Sequence, residues 1–234
     1  MTEYQISAPR TRAIALSAFM RGVYAWMSMG LGLTSLAAFM TVSSPAAMQF
    51  VFGTPGVFFG LIIAELALVM IVSMAIGKLS GGTASLLFML YSALNGVTLS
   101  AVLLAYTGAS VVSAFVICAG MFGAMSVYGL VTGKDLTSWG SFLFMGLIGI
   151  VLASVVNMFV KSAGVNFAIS CIGVIVFVGL TAYDTQKLKV MGESAPADDA
   201  LAVRRGTILG ALTLYLDFIN LFLMLLRLFG SRRD

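Results

Sequence analysis

Three carboxylates interrupt otherwise apolar stretches of this chain: Glu65, Asp184 and Asp217. An ionised acid at the centre of a membrane-spanning helix costs about 2.5–3.5 kcal/mol on insertion scales. Helix packing does not need that cost, so such residues are the first candidates for ion or proton chemistry. If Asp184 and Asp217 meet, the chemistry becomes specific. Two carboxylates side by side in a low-dielectric site cannot both ionise easily, so they hold one shared proton and titrate as a unit. Protonated, the pair is neutral and hydrogen-bonded. Deprotonated, it repels itself and offers the hard oxygen ligands that Ca²⁺ prefers. The chain contains no histidine, so an acid pair is the only pH sensor it could build inside a bilayer. The competing role for each acid is structural: a hydrogen-bonded group joining helices, or, for Asp184, an interfacial ion pair with Lys187.

Helical spacing adds companions to these acids. Gly206, Gly210, Thr213, Asp217, Asn220, Met224 and Arg227 follow one another at intervals of three or four residues. They therefore form one stripe on a helix otherwise made mostly of Leu, Ile and Phe. A stripe of small and polar residues faces protein or a water-filled cavity rather than lipid. Leu on the remaining sides suggests that this helix is surrounded by its neighbours. Asn166, Ser170, Gly173, Phe177, Thr181 and Asp184 repeat the design, with Phe177 as an apolar interruption. Tyr91, Asn95 and Thr98 form a shorter stripe. Glu65 has no polar companion on its own helix face until Ser73.

The elements that carry these residues are membrane spans. Of 234 residues, 60% are hydrophobic and 9% charged, against roughly 45–50% and 25% in soluble domains. The mean hydropathy is +1.06. Stretches of about 20 apolar residues, enough to cross a hydrocarbon core of about 30 Å, occur seven times. They are Val23–Val42, Val57–Ile76, Ala84–Tyr106, Ser110–Val131, Ser141–Val160, Phe167–Tyr183 and Thr207–Leu226. Short connections force successive helices into antiparallel neighbours. The expected fold is an all-α integral membrane protein: a polar N-terminal tail (1–22), one transmembrane bundle (23–230) and a short C-terminal tail (231–234). Nine Lys and Arg residues fall on the N-terminal side of the membrane and four on the other, which favours a cytoplasmic N-terminus.

Composition also excludes several functions. Without histidine there is no Ser-His-Asp hydrolase and no His-ligated zinc or haem. Cys118 and Cys171 both lie in apolar runs and form no metal-binding or redox motif. The net charge of +4 is spread over tails and loops, as membrane topology alone produces, so no nucleic-acid partner is expected.

GMFGAMSVYG (120–129), GLTAYDTQKLK (179–189) and LTLYLDFINLFLMLLRLFG (212–230) carry a family resemblance. From about Tyr24 onward, in segment order and spacing, the chain resembles the Bax inhibitor-1 family, also called transmembrane BAX inhibitor motif proteins. The match is closest to the bacterial inner-membrane branch. That resemblance implies a seven-helix bundle whose last helix is enclosed by the other six. It also implies a pH-sensitive aspartate pair that gates a calcium leak, with Asp184 and Asp217 at the matching positions. Calcium would then be a permeant ion held transiently by the two acids, and no resident cofactor is expected. In relatives a basic residue after the second helix latches onto the first aspartate. Here that region offers Lys78, a less bidentate partner than arginine. Glu65, Asn95, Thr181, Thr213 and Asn220 are candidates for latch or pathway support.

Three functions compete. The first is a pH-sensitive calcium leak channel in the cell inner membrane. The second is a non-transporting modulator of a membrane-bound AAA protease, which one bacterial relative restrains; Met1–Arg12 would be the handle. The third is an intramembrane aspartyl protease. That enzyme needs Gly-x-Gly-Asp on its second catalytic helix, whereas Leu214, Tyr215 and Leu216 precede Asp217, so a non-enzymatic role is expected.

Overall fold

The computed structural model describes the backbone of residues 3–194 and 199–233 and the side chains of residues 13–194 and 199–233. The described chain is helical and contains no β-strand. Its helices are α1 (Glu3–Ser43), the short α2 (Pro45–Met48), α3 (Val57–Ala75), α4 (Gly81–Ala105), α5 (Gly108–Val131), α6 (Thr137–Val160), α7 (Ala163–Ser194) and α8 (Ala200–Phe229). All but α2 are long and apolar enough to cross a membrane, seven in number among the described residues.

The hydropathic boundaries and the helical boundaries differ, for a physical reason. Hydropathy marks where a helix contacts hydrocarbon, whereas backbone hydrogen bonds continue wherever the residues permit. Thus α1 begins at Glu3, within the segment expected to be a polar tail. The side chains of Met1–Arg12, the expected partner handle, lie outside the described residues. Likewise α7 runs on to Ser194, well past the expected end of its span at Tyr183. Asp184 is therefore an interior position of a long helix rather than the end of one. Between α1 and α3 the chain adds α2, capped by Ser44 Oγ accepting from Ala47 N at 3.3 Å, and a π-helical turn over Gln49–Gly53.

The chain divides into two compact units. The first comprises residues 1–105 and 188–215, and so contains α1–α4 with the end of α7 and the first half of α8. Here α4 packs on both α1 and α3. The approach of α1 and α4 is close enough that a Cβ on Gly96 would run into the carbonyl oxygen of Thr34. At the start of α8, Arg205 Nε donates to the carbonyl of Leu79 at 2.6 Å, and Arg204 Nη2 to Ser85 Oγ at 3.3 Å. These bonds tie α8 to the turn between α3 and α4.

The second unit comprises residues 106–187 and 216–234. Its helices are α5, α6, most of α7 and the second half of α8. A Cβ on Gly129 of α5 would meet the carbonyl oxygen of Ala182 on α7. Phe218 of α8 stands edge-on to Phe115 and to Phe122, each with ring centroids 5.4 Å away. Cys118 Sγ donates to the Phe218 carbonyl at 3.5 Å. Both cysteines are free thiols. At the start of α6, Asp135 Oδ1 accepts from Thr137 N at 2.8 Å. Hydrogen bonds from Thr137, side chain and backbone, hold that carboxyl below its ordinary range.

Close backbone contact makes the two interfacial glycines testable. Gly96→Ala and Gly129→Ala are each expected to destabilise by about 1–3 kcal/mol, because a carbonyl cannot swing aside as a side chain can. Gly120→Ala, whose added methyl meets nothing within 4 Å, should be neutral or stabilising by up to about 1 kcal/mol. Thermal unfolding of the purified variants in detergent measures both.

Candidate functional site

Asp184 lies on α7 and Asp217 on α8, both within the second unit. Their carboxyl groups lie near enough to act on one another electrostatically. A hydrogen bond between two carboxyl groups requires one proton, since ionised carboxylates only accept. Asp184 is partly buried and Asp217 is 5% exposed. One Asp217 oxygen, Oδ2, is buried without a hydrogen-bond partner among the described residues. The cation bearing on Asp184 within its own unit is Lys187, three residues further along α7 and itself exposed. Among the described residues no three His, Cys, Asp or Glu side chains cluster. Two carboxylates supply at most four oxygens, fewer than the six to eight that a resident Ca²⁺ takes.

Two further oxygens of this unit are buried without a partner: Ser126 Oγ on α5 and Thr185 Oγ1 on α7. Buried polar groups are nearly always bonded, so these residues join the candidates. Sequence reasoning missed both, because lone hydroxyls on apolar helices commonly bond to their own backbone. Thr181 and Asn220 do behave that way. Thr181 Oγ1 donates to the Phe177 carbonyl and Asn220 Nδ2 to the Leu216 carbonyl, each at 2.8 Å. In the first unit Thr213 Oγ1 likewise donates to Leu209 O at 3.0 Å. Spacing identified their stripe, but the donors of these three are used within their own helices.

Glu65 belongs to the first unit, where α4 supplies the polar company its own helix lacks. Asn95 Nδ2 donates to Glu65 Oε2 at 3.1 Å, and Thr98 Oγ1 to Glu65 Oε1 at 2.8 Å. The Asn95 Oδ1 then accepts from Tyr215 OH at 3.0 Å. Tyr215 OH lies 2.6 Å from Thr34 Oγ1, which is also 2.9 Å from Gly30 O and 2.8 Å from Ser92 O. Each hydroxyl has one proton. With the Tyr215 proton on Asn95, the Thr34 proton serves one of its three neighbours and the others compete. The aromatic ring of Tyr215 is held edge-on by Phe88 and Tyr91, at 5.8 and 5.6 Å between centroids. A polar chain thus runs from α3 through α4 and α8 to α1. Tyr215 was legible as an oddity in an aliphatic run, but only the fold supplies its partners. Lys78, the expected latch, sits exposed on the 3₁₀ turn Ile76–Lys78 of this unit.

The Glu65 chain should behave as a unit. Tyr215→Phe is expected to cost about 0.6–1.7 kcal/mol, the range for interhelical hydrogen bonds in membranes. Asn95→Leu should cost more, since it removes a donor from Glu65 and an acceptor from Tyr215. In denaturant unfolding of the single and double variants, the two costs should fall short of adding. Strict additivity would disconnect the two residues.

The comparisons with known proteins agree with this architecture. A family model described as "Inhibitor of apoptosis-promoting Bax1" matches residues 16–234. The chain is 58% identical to the Inner membrane protein YbhL of Escherichia coli (strain K12) over 218 residues, covering 93% of each chain. It is 47% identical to an uncharacterised protein of Rickettsia prowazekii, covering 94% of this chain and 92% of that one. An uncharacterised Borreliella burgdorferi protein is 46% identical, covering 92% and 93% respectively. None of these names carries an enzyme activity. With seven helices of spanning length and a family match over nearly its whole length, the chain belongs to the Bax inhibitor-1 family as a multipass membrane protein.

Proposed function

We propose that this protein is a pH-sensitive calcium leak pathway of the inner membrane, opened when Asp184 and Asp217 lose their shared proton. What supports the reading is the approach of the two carboxyl groups at a position where Asp217 is nearly inaccessible. With one proton between them the pair carries a single negative charge and forms a clasp joining α7 to α8. Without it, two negative charges about 4 Å apart repel by about 4 kcal/mol at an effective dielectric near 20. That repulsion is relieved by separation or by a cation, and a divalent oxygen-seeking cation relieves it best. Four carboxylate oxygens would bind such an ion weakly enough to release it, as conduction requires. The inner-membrane placement rests on the name of the E. coli relative, and a cytoplasmic N-terminus on the distribution of Lys and Arg.

Calcium flux into proteoliposomes tests this directly. Flux through the unmodified protein should rise with pH, by at most about tenfold per unit where one proton controls opening. Asp217→Asn and Asp184→Asn each keep a hydrogen-bonding group but remove the repulsion between two carboxylates, so the rise of their flux with pH should flatten. An Asp217→Asn protein with an unaltered pH profile would exclude Asp217 from the sensor.

A further inference from the structure

The second unit holds a cavity of about 490 Å³ bordered by α6, α7 and α8. Its wall is apolar along α6, from Leu147 through Val151 and Val155 to Met158. Val151, Val155 and Met158 are exposed, so the cavity opens sideways, where a spanning helix meets lipid. Ser154 and Asn220 add polar groups deeper in, and the rest of its polar lining gathers at one end. Asn157 lies in the last turn of α6, Asn166 in the first turn of α7 and Arg227 in the last turn of α8. Those positions place the polar mouth at the membrane boundary. From Asn157 back to Leu147 is ten residues of helix, about 15 Å. That is about half of a hydrocarbon core of about 30 Å, the depth of one leaflet.

Charge distinguishes this mouth. From Thr137 to Tyr183 the only charged residue is Lys161, and from Phe218 to Arg233 there are only Arg227, Arg232 and Arg233. Arg227 makes no hydrogen bond or ion pair among the described residues. Asn157 uses its Oδ1 to accept from Ser162 N at 3.0 Å, which leaves its amide protons for another acceptor. A guanidinium fork and unused amide donors, with no carboxylate lining the cavity among the described residues, suit a phosphate. A mostly apolar shaft one leaflet deep suits an acyl chain.

We propose that this cavity is a binding site for an anionic phospholipid, with one acyl chain along α6 and the headgroup phosphate at Arg227. The site is separate from the Asp184–Asp217 pair and stands whether or not the protein conducts calcium. A lipid seated there would brace the end of α8 that carries Arg227 against α6 and α7.

Native mass spectrometry of the full-length protein, released from detergent after addition of phosphatidylglycerol or phosphatidylcholine with identical chains, tests the proposal. The phosphatidylglycerol adduct should bind about tenfold more tightly than the phosphatidylcholine adduct, as expected for a charge-assisted contact. Arg227→Gln should abolish that preference and Arg227→Lys should largely restore it. Ser154→Phe, which fills the shaft beside an intact Arg227, should weaken retention of both lipids. Melting temperatures near that of the unmodified protein establish that the variants are folded. Equal retention of the two lipids, indifference to Arg227→Gln, or displacement by millimolar inorganic phosphate would each overturn the assignment; the last would indicate an anion site with no role for the chain.

Discussion

Hydrocarbon supplies no hydrogen-bond partner, so a polar side chain of a spanning helix is stable only as far as the protein supplies one. The two groups of acids satisfy this constraint differently. Glu65 is surrounded by donors: an amide from Asn95 and a hydroxyl from Thr98, both fixed on α4. Its oxygens accept whether or not the acid is ionised, and the arrangement continues through Tyr215 to Thr34. Asp184 and Asp217 instead face each other. Neither can donate without a proton, so a hydrogen bond between them needs at least one. The Glu65 arrangement suits a structural tie, whereas the proposed role of the Asp pair depends on its protons.

The same constraint explains how the remaining polar residues are spent. Thr181, Thr213 and Asn220 return their donors to carbonyls four residues earlier on their own helices. Such bonds keep a polar residue cheap in an apolar helix and leave it unable to define a neighbour. Besides Tyr24 OH in the first unit, Ser126, Thr185 and one oxygen of Asp217 lack even that. An unsatisfied buried group favours whatever can supply a bond, and all three belong to the unit that holds the acid pair. Small residues then set how near the helices come. Gly96 and Gly129 admit a neighbouring carbonyl where any side chain would collide, a mode of association suited to surroundings where hydrophobic exclusion gives helices no reason to associate.

The lateral cavity at the end of α8 shows that the boundary between protein and lipid is itself patterned. Exposed Val151, Val155 and Met158 need no explanation singly, because lipid-facing residues of a spanning helix are apolar. Their meaning comes from Arg227, Asn157 and Asn166 collecting at one end of the same concavity.

The sequence by itself determined the fold class, because 60% apolar residues with few charges can satisfy their backbone in lipid only as helices. It determined the number of spans, since each must match the bilayer thickness, and it singled out Glu65, Asp184 and Asp217 as costly exceptions. Helix ends were less legible: α1 and α7 extend beyond their apolar portions because backbone hydrogen bonding does not stop where hydropathy falls. What only the tertiary structure decided is partnership. The donors to Glu65 lie thirty or more positions away on another helix, and Asp184 and Asp217 are brought together across a helix connection. Periodicity along one helix reports which face a residue occupies. The groups opposite that face are set by how helices cross, and crossing depends on contacts such as those at Gly96 and Gly129, which no single helix encodes.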